Sequence, residues 1–231
     1  MELVKCIDLC KEFDNKLILK NINLSIPKGR IIGLLGKNGM GKTTIIKLIN
    51  DLLTPTSGKV LINGEKPSVN SKKIISYLPE RTYLDKNMKV LDVITLFDEF
   101  YDNFDKKKAI KLLKDLELNI NSKINKMSKG MQEKLQLILV MSREAEIYIL
   151  DEPLGGVDPA TRDYVLDTIL SNFNEGASVI ISTHIISDIE RILDDVIFID
   201  KGEIVLNDSA DNLRKKENAS IDEIFRGYFK C

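Results

Sequence analysis

The sequence predicts an α/β fold with a mainly parallel core sheet, an N-terminal antiparallel β subdomain and an inserted α-helical subdomain. Short apolar runs alternate with helical segments in the second half of the chain, as in strands buried on both faces of a parallel sheet. A glycine-rich stretch joins one such run to a helix. Between about residues 85 and 141 the apolar residues recur with a helical period, and no strand-like run follows residue 90 in this segment.

Length and composition are those of one globular unit. The chain has 231 residues, so we predict a single domain over residues 1–231, with the helical subdomain at about 85–141. Hydrophobic residues make up 43% and charged residues 30%, which argues against disorder. The net charge of −1 argues against a nucleic-acid partner. No apolar run approaches the ~20 residues of a membrane-spanning helix, and no signal-peptide pattern opens the chain. A cytoplasmic location is therefore expected.

The three cysteines, Cys6, Cys10 and Cys231, contain no Cys-x-x-Cys pair. In a reducing compartment free thiols are expected. Cys6 and Cys10 have the same parity on a predicted strand, so half of a metal site is the alternative.

The N-terminal region predicts antiparallel strands at residues 3–9 and 18–26, joined by a turn at residues 13–16. Phe13 lies at this turn. An aromatic ring ahead of a phosphate loop can stack on adenine, and a place in the core is the alternative. Further strands are predicted at residues 31–35, 59–62, 74–77, 147–150, 178–182, 196–199 and 204–206. Helices are predicted at residues 45–50 and 159–173 and within 211–231.

The glycine-rich stretch, residues 36–44, reads Gly-Lys-Asn-Gly-Met-Gly-Lys-Thr-Thr. Its glycines let successive backbone N–H groups approach an anion closely. Lys42 supplies a positive charge for the β- and γ-phosphates, the Thr43 hydroxyl can bind Mg²⁺, and the following helix adds its N-terminal partial charge. The stretch therefore predicts a phosphate-binding loop. Its nucleotide-binding residues are expected to be Gly36, Asn38, Gly39, Gly41, Lys42, Thr43 and Thr44.

Two later strands end in residues suited to phosphate chemistry. Asp151 and Glu152 follow a buried strand, and His184, the one histidine of the chain, follows the next strand. Ligand sites in α/β folds lie at the carboxyl ends of the strands. Asp151 is suited to hold Mg²⁺ through water, Glu152 to orient or deprotonate the attacking water, and His184 to contact the γ-phosphate.

Together these motifs resemble the ATP-binding subunit of an ATP-binding-cassette (ABC) transporter, over nearly the whole chain. The resemblance implies a P-loop NTPase fold in which residues 36–44 are the Walker A loop and residues 147–151 the Walker B strand. It makes Glu152 the catalytic glutamate and His184 the switch histidine. It also implies that residues 153–158 lead through the D-loop, with Asp158 as its acidic residue, and that Phe13 stacks on adenine.

Two segments depart from the family pattern. The signature, usually Leu-Ser-Gly-Gly-Gln, reads Met-Ser-Lys-Gly-Met at residues 127–131, so that Ser128 and Gly130 match. In the family this segment binds the γ-phosphate held by a second subunit, and two ATP molecules are sandwiched in a head-to-tail dimer. Ser128 supplies a hydroxyl and Gly130 permits close backbone approach. Where the family commonly has glutamine after a Leu-Pro pair, this chain has Glu80, whose carboxylate can approach Mg²⁺ but offers no amide donor.

The resemblance implies a subunit that binds MgATP, dimerises around it with its own copy or a relative, and hydrolyses it. Its partners would be separately encoded membrane-spanning subunits, contacted around residues 80–89, so that it lies in the cytoplasm on the inner face of the cell membrane. Glu80 and the lysine-containing signature resemble bacterial exporter-type variants. Alternatives are a soluble ABC-type ATPase and a nucleotide-dependent binding module with little turnover. The transported molecule and the direction of transport stay open.

Overall fold

A computed structural model describes residues 2–155, 157 and 159–229 of the chain. The strands are β1 (Glu2–Phe13), β2 (Lys16–Pro27), β3 (Ile31–Leu35), β4 (Ser57–Ile62), β5 (Ile75–Leu78), β6 (Ile147–Asp151), β7 (Ser178–Thr183), β8 (Asp195–Asp200) and β9 (Glu203–Ser209). The helices are α1 (Lys42–Ile49), α2 (Val69–Ile74), α3 (Val90–Phe100), α4 (Lys106–Asp115), α5 (Lys129–Met141), α6 (Pro159–Asn172), α7 (Ile186–Ile189), α8 (Ala210–Glu217) and α9 (Ile221–Phe229).

The N-terminal sheet is antiparallel, as predicted, with strand order β2-β1-β4. Burial alternates along much of β2, which is typical of a sheet with one face in the core. On β1 the pairing register shifts around Asp8, whose φ is 47°. This irregularity separates Cys6 from Cys10.

The alternative of a cysteine metal site gains no support. Cys6 is buried, which raises the pKa of its thiol to about 12. The Cys10 sulfur accepts a hydrogen bond from the Asn21 N–H at 3.2 Å. Among the described residues, no three His, Cys, Asp or Glu side chains are grouped so as to hold a metal ion. Cys231 lies outside the described residues.

The core sheet has the order β5-β6-β7-β3-β8-β9, in which β9 is the antiparallel edge strand. The predicted mainly parallel sheet is thus confirmed. Alternate residues of β6 face opposite sides of the sheet. Ile149 packs with α1 and the N-terminal sheet, whereas Leu150 packs with the helices on the other side. The parallel arrangement brings the carboxyl ends of β3, β6 and β7 to one edge of the sheet.

Between residues 85 and 141 the structure has helices α3, α4 and α5 and no strand, as predicted. The apolar stripe of α3 is buried at Val90, Val93 and Ile94, but the stripe does not belong to the core along its whole length. Phe100 is 73% exposed because it lies at the last residue of α3, with its ring edge-on to Tyr101 at 5.0 Å. Helix α2 was not predicted. It begins at a reciprocal hydrogen-bonded cap between Ser68 and Ser71.

Arg143 joins α5 to the core sheet. Its buried guanidinium donates to the carbonyl oxygens of Ile75 at 2.6 Å, Lys73 at 3.0 Å and Lys72 at 3.1 Å. It also lies over the Tyr101 ring, 3.8 Å from the centroid. Burial lowers the pKa of Arg143, but the surrounding acceptors compensate for much of the lost hydration.

Replacing Arg143 by methionine should therefore lower the free energy of unfolding by roughly 3 kcal/mol, because the buried Ile75 carbonyl oxygen loses its side-chain donor and the Lys72 carbonyl oxygen loses its contact with the guanidinium. Urea denaturation of the two proteins measures the loss. The matched control is Arg191→Met, which removes an exposed ion pair with Asp163 and should cost less than about 1 kcal/mol. Equal losses in the two variants would contradict the role given to Arg143.

Candidate active site

The phosphate loop lies between the end of β3 and the start of α1, and two of its glycines are required by their surroundings. A Cβ on Gly36 would lie 2.5 Å from the carbonyl oxygen of Ile199. Gly41 has a φ of +109°, and a Cβ there would lie 2.7 Å from the Leu19 side chain. A Cβ on Gly39, by contrast, would meet nothing within 4 Å. The backbone is therefore packed tightly on its inner side and is open where an anion approaches.

The loop borders a cavity of about 860 Å³. The predicted site residues that line it are Asn38, Gly39, Gly41, Lys42, Thr43, Thr44, Glu80, Glu152 and His184. The sequence did not single out the remaining lining residues, which include Ile18 of β2, Arg81 and Lys86 of the loop after β5, and Gln132, Glu133 and Gln136 of α5. The cavity thus lies between the core sheet and the helices of the insert.

Lys42 is almost fully buried, and its ammonium group is surrounded by oxygen atoms. Nζ donates to the carbonyl oxygens of Gly36 at 2.6 Å and Lys37 at 3.4 Å. It also lies 3.5 Å from Oε1 of Glu152. Burial lowers the pKa of Lys42, while the charge of Glu152 acts in the opposite direction. These acceptors are of the kind that phosphate oxygens can replace.

Asp151 is 1% exposed at the end of β6. Its Oδ1 accepts a hydrogen bond from Thr43 Oγ1 at 3.3 Å and a shorter one from Ser182 Oγ. Its Oδ2 is buried and has no hydrogen-bond partner among the described residues. Burial raises the pKa of this carboxyl group. A buried carboxylate oxygen without a partner, beside a threonine hydroxyl, fits the oxygen-rich surroundings that Mg²⁺ or its bound water requires.

Glu152 turns out of the line of β6. Its φ of 52° lies in the left-handed region, which is uncommon for this residue type, and its N–H donates to the Ser182 carbonyl oxygen at 2.9 Å. Its Oε2 accepts from Thr183 Oγ1 at 3.2 Å and lies 3.0 Å from His184 Nδ1. The turn thus directs the carboxylate towards both Lys42 and the end of β7.

Four of the predicted nucleotide-binding residues that the structure describes do not line this cavity: Gly36, at the start of the loop, and Phe13, Ser128 and Gly130. Phe13 is 40% exposed at the β1–β2 turn, with the Lys11 ammonium 4.8 Å from its ring centroid. Ser128 caps the N-terminus of α5, where its Oγ accepts from the Met131 N–H at 3.2 Å. Gly130 follows in the first turn, and a Cβ there would meet nothing within 4 Å. Asp158 lies outside the described residues.

The departures from the usual signature lie just before α5 and in its first turn. Met127 is buried and Met131 packs against the same core. Lys129 borders the cavity beside the phosphate loop, with its side chain 80% exposed and 3.5 Å from Glu133. The two methionines thus contribute to packing inside the chain, while Lys129 changes the charge of the surface next to Ser128.

A buried strand that enters a glycine-rich loop and a helix, in the same parallel sheet as a strand followed by paired carboxylates, defines a P-loop NTPase. This chain belongs to the ABC transporter family, because the family model described as "ABC transporter" matches residues 19–155. It is an ATP-binding subunit of that class, whose members are ATPases coupled to transport. In the described part of the chain, no helix has the length and apolar character needed to cross a bilayer.

Relatives resemble the chain over nearly its whole length. The lantibiotic transport ATP-binding protein SrtF of Streptococcus pyogenes is 31% identical over 224 residues, covering 95% of this chain and 97% of the relative. The ABC-type transporter ATP-binding protein EcsA of Bacillus subtilis is 29% identical, covering 97% and 96%.

Solved structures share the fold. A structure titled "Structure of ATP binding subunit of ABC transporter" has a TM-score of 0.87 and 26% identity, covering 96% of this chain and 98% of that chain. A bacterial ABC transporter cassette described as dimeric, MJ0796, has a TM-score of 0.79 and 24% identity, covering 90% and 98%. These likenesses confirm the predicted α/β fold of an ABC ATPase.

The Lys42→Ala variant should bind MgATP roughly 10- to 100-fold more weakly, because several charge-assisted hydrogen bonds to phosphate are lost. Isothermal titration calorimetry measures the affinity. Lys37→Ala is the matched control: it changes a lysine of the same loop whose Nζ donates to the Phe229 carbonyl oxygen at 2.9 Å and which does not line the cavity. We expect near-normal affinity for this control. Full-strength binding by Lys42→Ala would overturn the assignment of the loop.

Proposed function

We propose that this chain hydrolyses MgATP to power a separately encoded membrane transporter, and that residues 1–231 form one ABC ATPase domain. The observation that carries the proposal is that Lys42, Asp151, Glu152 and His184 meet at one edge of the core sheet. Glu152 contacts both Lys42 and His184, and Asp151 accepts a hydrogen bond from Thr43, the residue after Lys42. An arrangement of this kind serves phosphoryl transfer, in which catalysis is mostly positioning and charge neutralisation.

In the proposed mechanism, Lys42 and the loop N–H groups bind the β- and γ-phosphates and hold them in line with the attacking water. Thr43, Asp151 through water, and Glu80 would hold Mg²⁺, which would neutralise charge on the phosphates. Glu152 orients the attacking water and accepts its proton. His184, 3.0 Å from Glu152, contacts the γ-phosphate and keeps the Glu152 carboxylate directed at the water.

The proposed dimer follows from the position of the signature. Ser128 and Gly130 lie at the N-terminus of the 13-residue helix α5, where N–H groups and the helix dipole attract an anion. Because they do not line the cavity of their own chain, the phosphate they bind would be that of a second ATPase subunit. We propose a head-to-tail dimer with two ATP molecules at the interface, and Asp158 and Phe13 as further nucleotide-site residues. One similar cassette is described as dimeric, which agrees with this arrangement.

A groove next to the loop at residues 80–89 is the proposed contact with the membrane-spanning subunits. It has a volume of about 510 Å³ and is lined by Tyr83, Phe97 and Tyr101. Nearby, Leu96 is 48% and Phe100 is 73% exposed. Exposed apolar side chains grouped in this way mark interaction surfaces. We propose that a cytoplasmic segment of the membrane partner occupies this groove, so that the chain lies on the inner face of the membrane. We further propose that transport is outward, as the lantibiotic transport of SrtF suggests.

Glu152→Gln should abolish turnover while retaining ATP, because the proton acceptor is lost but the phosphate ligands remain. With MgATP the purified variant should therefore change from monomer to dimer, and light scattering coupled to gel filtration measures this change. A monomer with MgATP would favour the binding-module alternative or a different partner subunit. Undiminished hydrolysis would remove Glu152 from the mechanism.

The matched control adds Ser128→Arg to Glu152→Gln. Arginine at this exposed helix N-terminus should leave ATP binding by the monomer intact and prevent dimerisation, since the side chain would occupy the space of the second subunit's phosphate. A normal MgATP-dependent dimer of this double variant would contradict the proposed arrangement.

Tyr83→Glu should release the chain from the membrane fraction of its own cells, because it places a charge in the groove. Sedimentation of membranes followed by immunoblotting measures the retained fraction. Tyr228→Glu is the matched control, since Tyr228 is also half exposed and edge-on to a phenylalanine ring but lies on α9. A wild-type chain that remains in the supernatant would favour the soluble ATPase. Equal retained fractions for the two variants would mean that the membrane partner does not bind at this groove.

A further inference from the structure

Two buried polar atoms of α5 have no hydrogen-bond partner among the described residues. They are Nε2 of Gln136 and Oε2 of Glu133. Gln136 is only 2% exposed, within an otherwise apolar run from Leu135 to Met141. A buried amide without a partner is costly, so that its retention calls for an explanation. Both residues line the cavity beside the phosphate loop, and therefore the free donor of Gln136 belongs to the proposed nucleotide site.

Contacts between α5 and β5 show what lies opposite Gln136. Arg143 donates to the Ile75 carbonyl oxygen at 2.6 Å, and Ser76 Oγ donates to the Val140 carbonyl oxygen at 2.8 Å. The helix therefore runs antiparallel to the strand. Gln136 precedes Val140 by about one helical turn, or roughly 6 Å, a distance that two strand residues cover. This register places Gln136 beside the end of β5, where the chain leads to Glu80.

Glu80 faces the same cavity and has a carboxylate available for pairing. Within the part of the chain that the structure describes, its side chain makes no hydrogen bond or ion pair, although its negative charge contributes to raising the pKa of Asp151. Glu133, also on the cavity wall, is a second negative charge. Glu133 is paired with Lys129 at 3.5 Å, whereas an uncharged donor such as the Gln136 amide can direct the unpaired carboxylate of Glu80.

We propose that Gln136 is a positioning residue whose amide donates a hydrogen bond to the Glu80 carboxylate when α5 and the loop after β5 approach each other around bound MgATP. The bond holds Glu80 towards Mg²⁺. The donor that a glutamine at position 80 would carry itself is thus supplied by the neighbouring helix. This inference rests on the proposed function, because Glu80 has a metal to approach only if the cavity binds MgATP.

The test follows Mg²⁺ dependence without turnover. In the Glu152→Gln background, Mg²⁺ is titrated at fixed ATP concentration, and the half-maximal Mg²⁺ concentration is read from the rise in melting temperature. Gln136→Leu should raise that concentration roughly tenfold, the effect of one hydrogen bond to a charged group. In a Glu80→Ala background the same change should have no further effect. Exchange of both side chains, Glu80→Gln with Gln136→Glu, should restore most of the affinity that Gln136→Glu alone removes.

Ser142→Ala is the matched control. The Ser142 hydroxyl is also buried and has no hydrogen-bond partner in the described part of the chain, but it lies at the other end of α5 and does not line the cavity, so Mg²⁺ dependence should not change. If Gln136→Leu has the same effect with and without Glu80, the inference about Gln136 is overturned while the proposed function stands. The same holds if Gln136→Leu has no effect, which is the result expected if Arg81 or Lys86 pairs with Glu80. Absence of any MgATP-dependent stabilisation in the parent protein would overturn the proposed function as well.

Discussion

The alignment of β3, β6 and β7 is the constraint on which the rest of the site depends. Leu35 at the end of β3 pairs with Thr183 of β7, and Asp151 of β6 pairs with Ser182. Three loops that are far apart in the chain therefore leave the sheet at the same level. Because pairing of buried parallel strands fixes their register, the lysine, the carboxylates and the histidine meet without further structural devices.

The helices of the insert pack on this sheet through the buried apolar residues of α5, and polar contacts add to this packing at the C-terminal end of the helix. Arg143 binds the backbone ahead of β5, whereas the N-terminal end of the same helix carries Ser128. Between these ends, Gln136 and Glu133 face the cavity with unused hydrogen-bonding groups. The helix thus has a firmly attached end and an end whose polar groups are available to nucleotide or to the loop after β5.

Much of the fold and of the candidate site was predictable, because both depend on local signals. Apolar runs of strand length, a glycine-rich turn and carboxylates at strand ends each act within a few residues. Helix α2 was missed because its cap consists of two serines, which are a weak signal. The exposure of Phe100 could not be predicted either, because periodicity does not indicate where a helix ends. Gln136 was overlooked within an apolar run, since its significance depends on β5, a segment distant in sequence.

The contact between Lys42 and Glu152 has a consequence for idle enzyme. A lysine whose few donors are engaged by phosphate oxygens cannot neutralise Glu152 to the same degree. Under the proposed mechanism, ATP binding would therefore weaken the ion pair between Lys42 and Glu152 and leave the Glu152 carboxylate freer to accept a proton from water. In this mechanism Lys42 would thus both bind the phosphates of ATP and limit the activation of water when no ATP is bound.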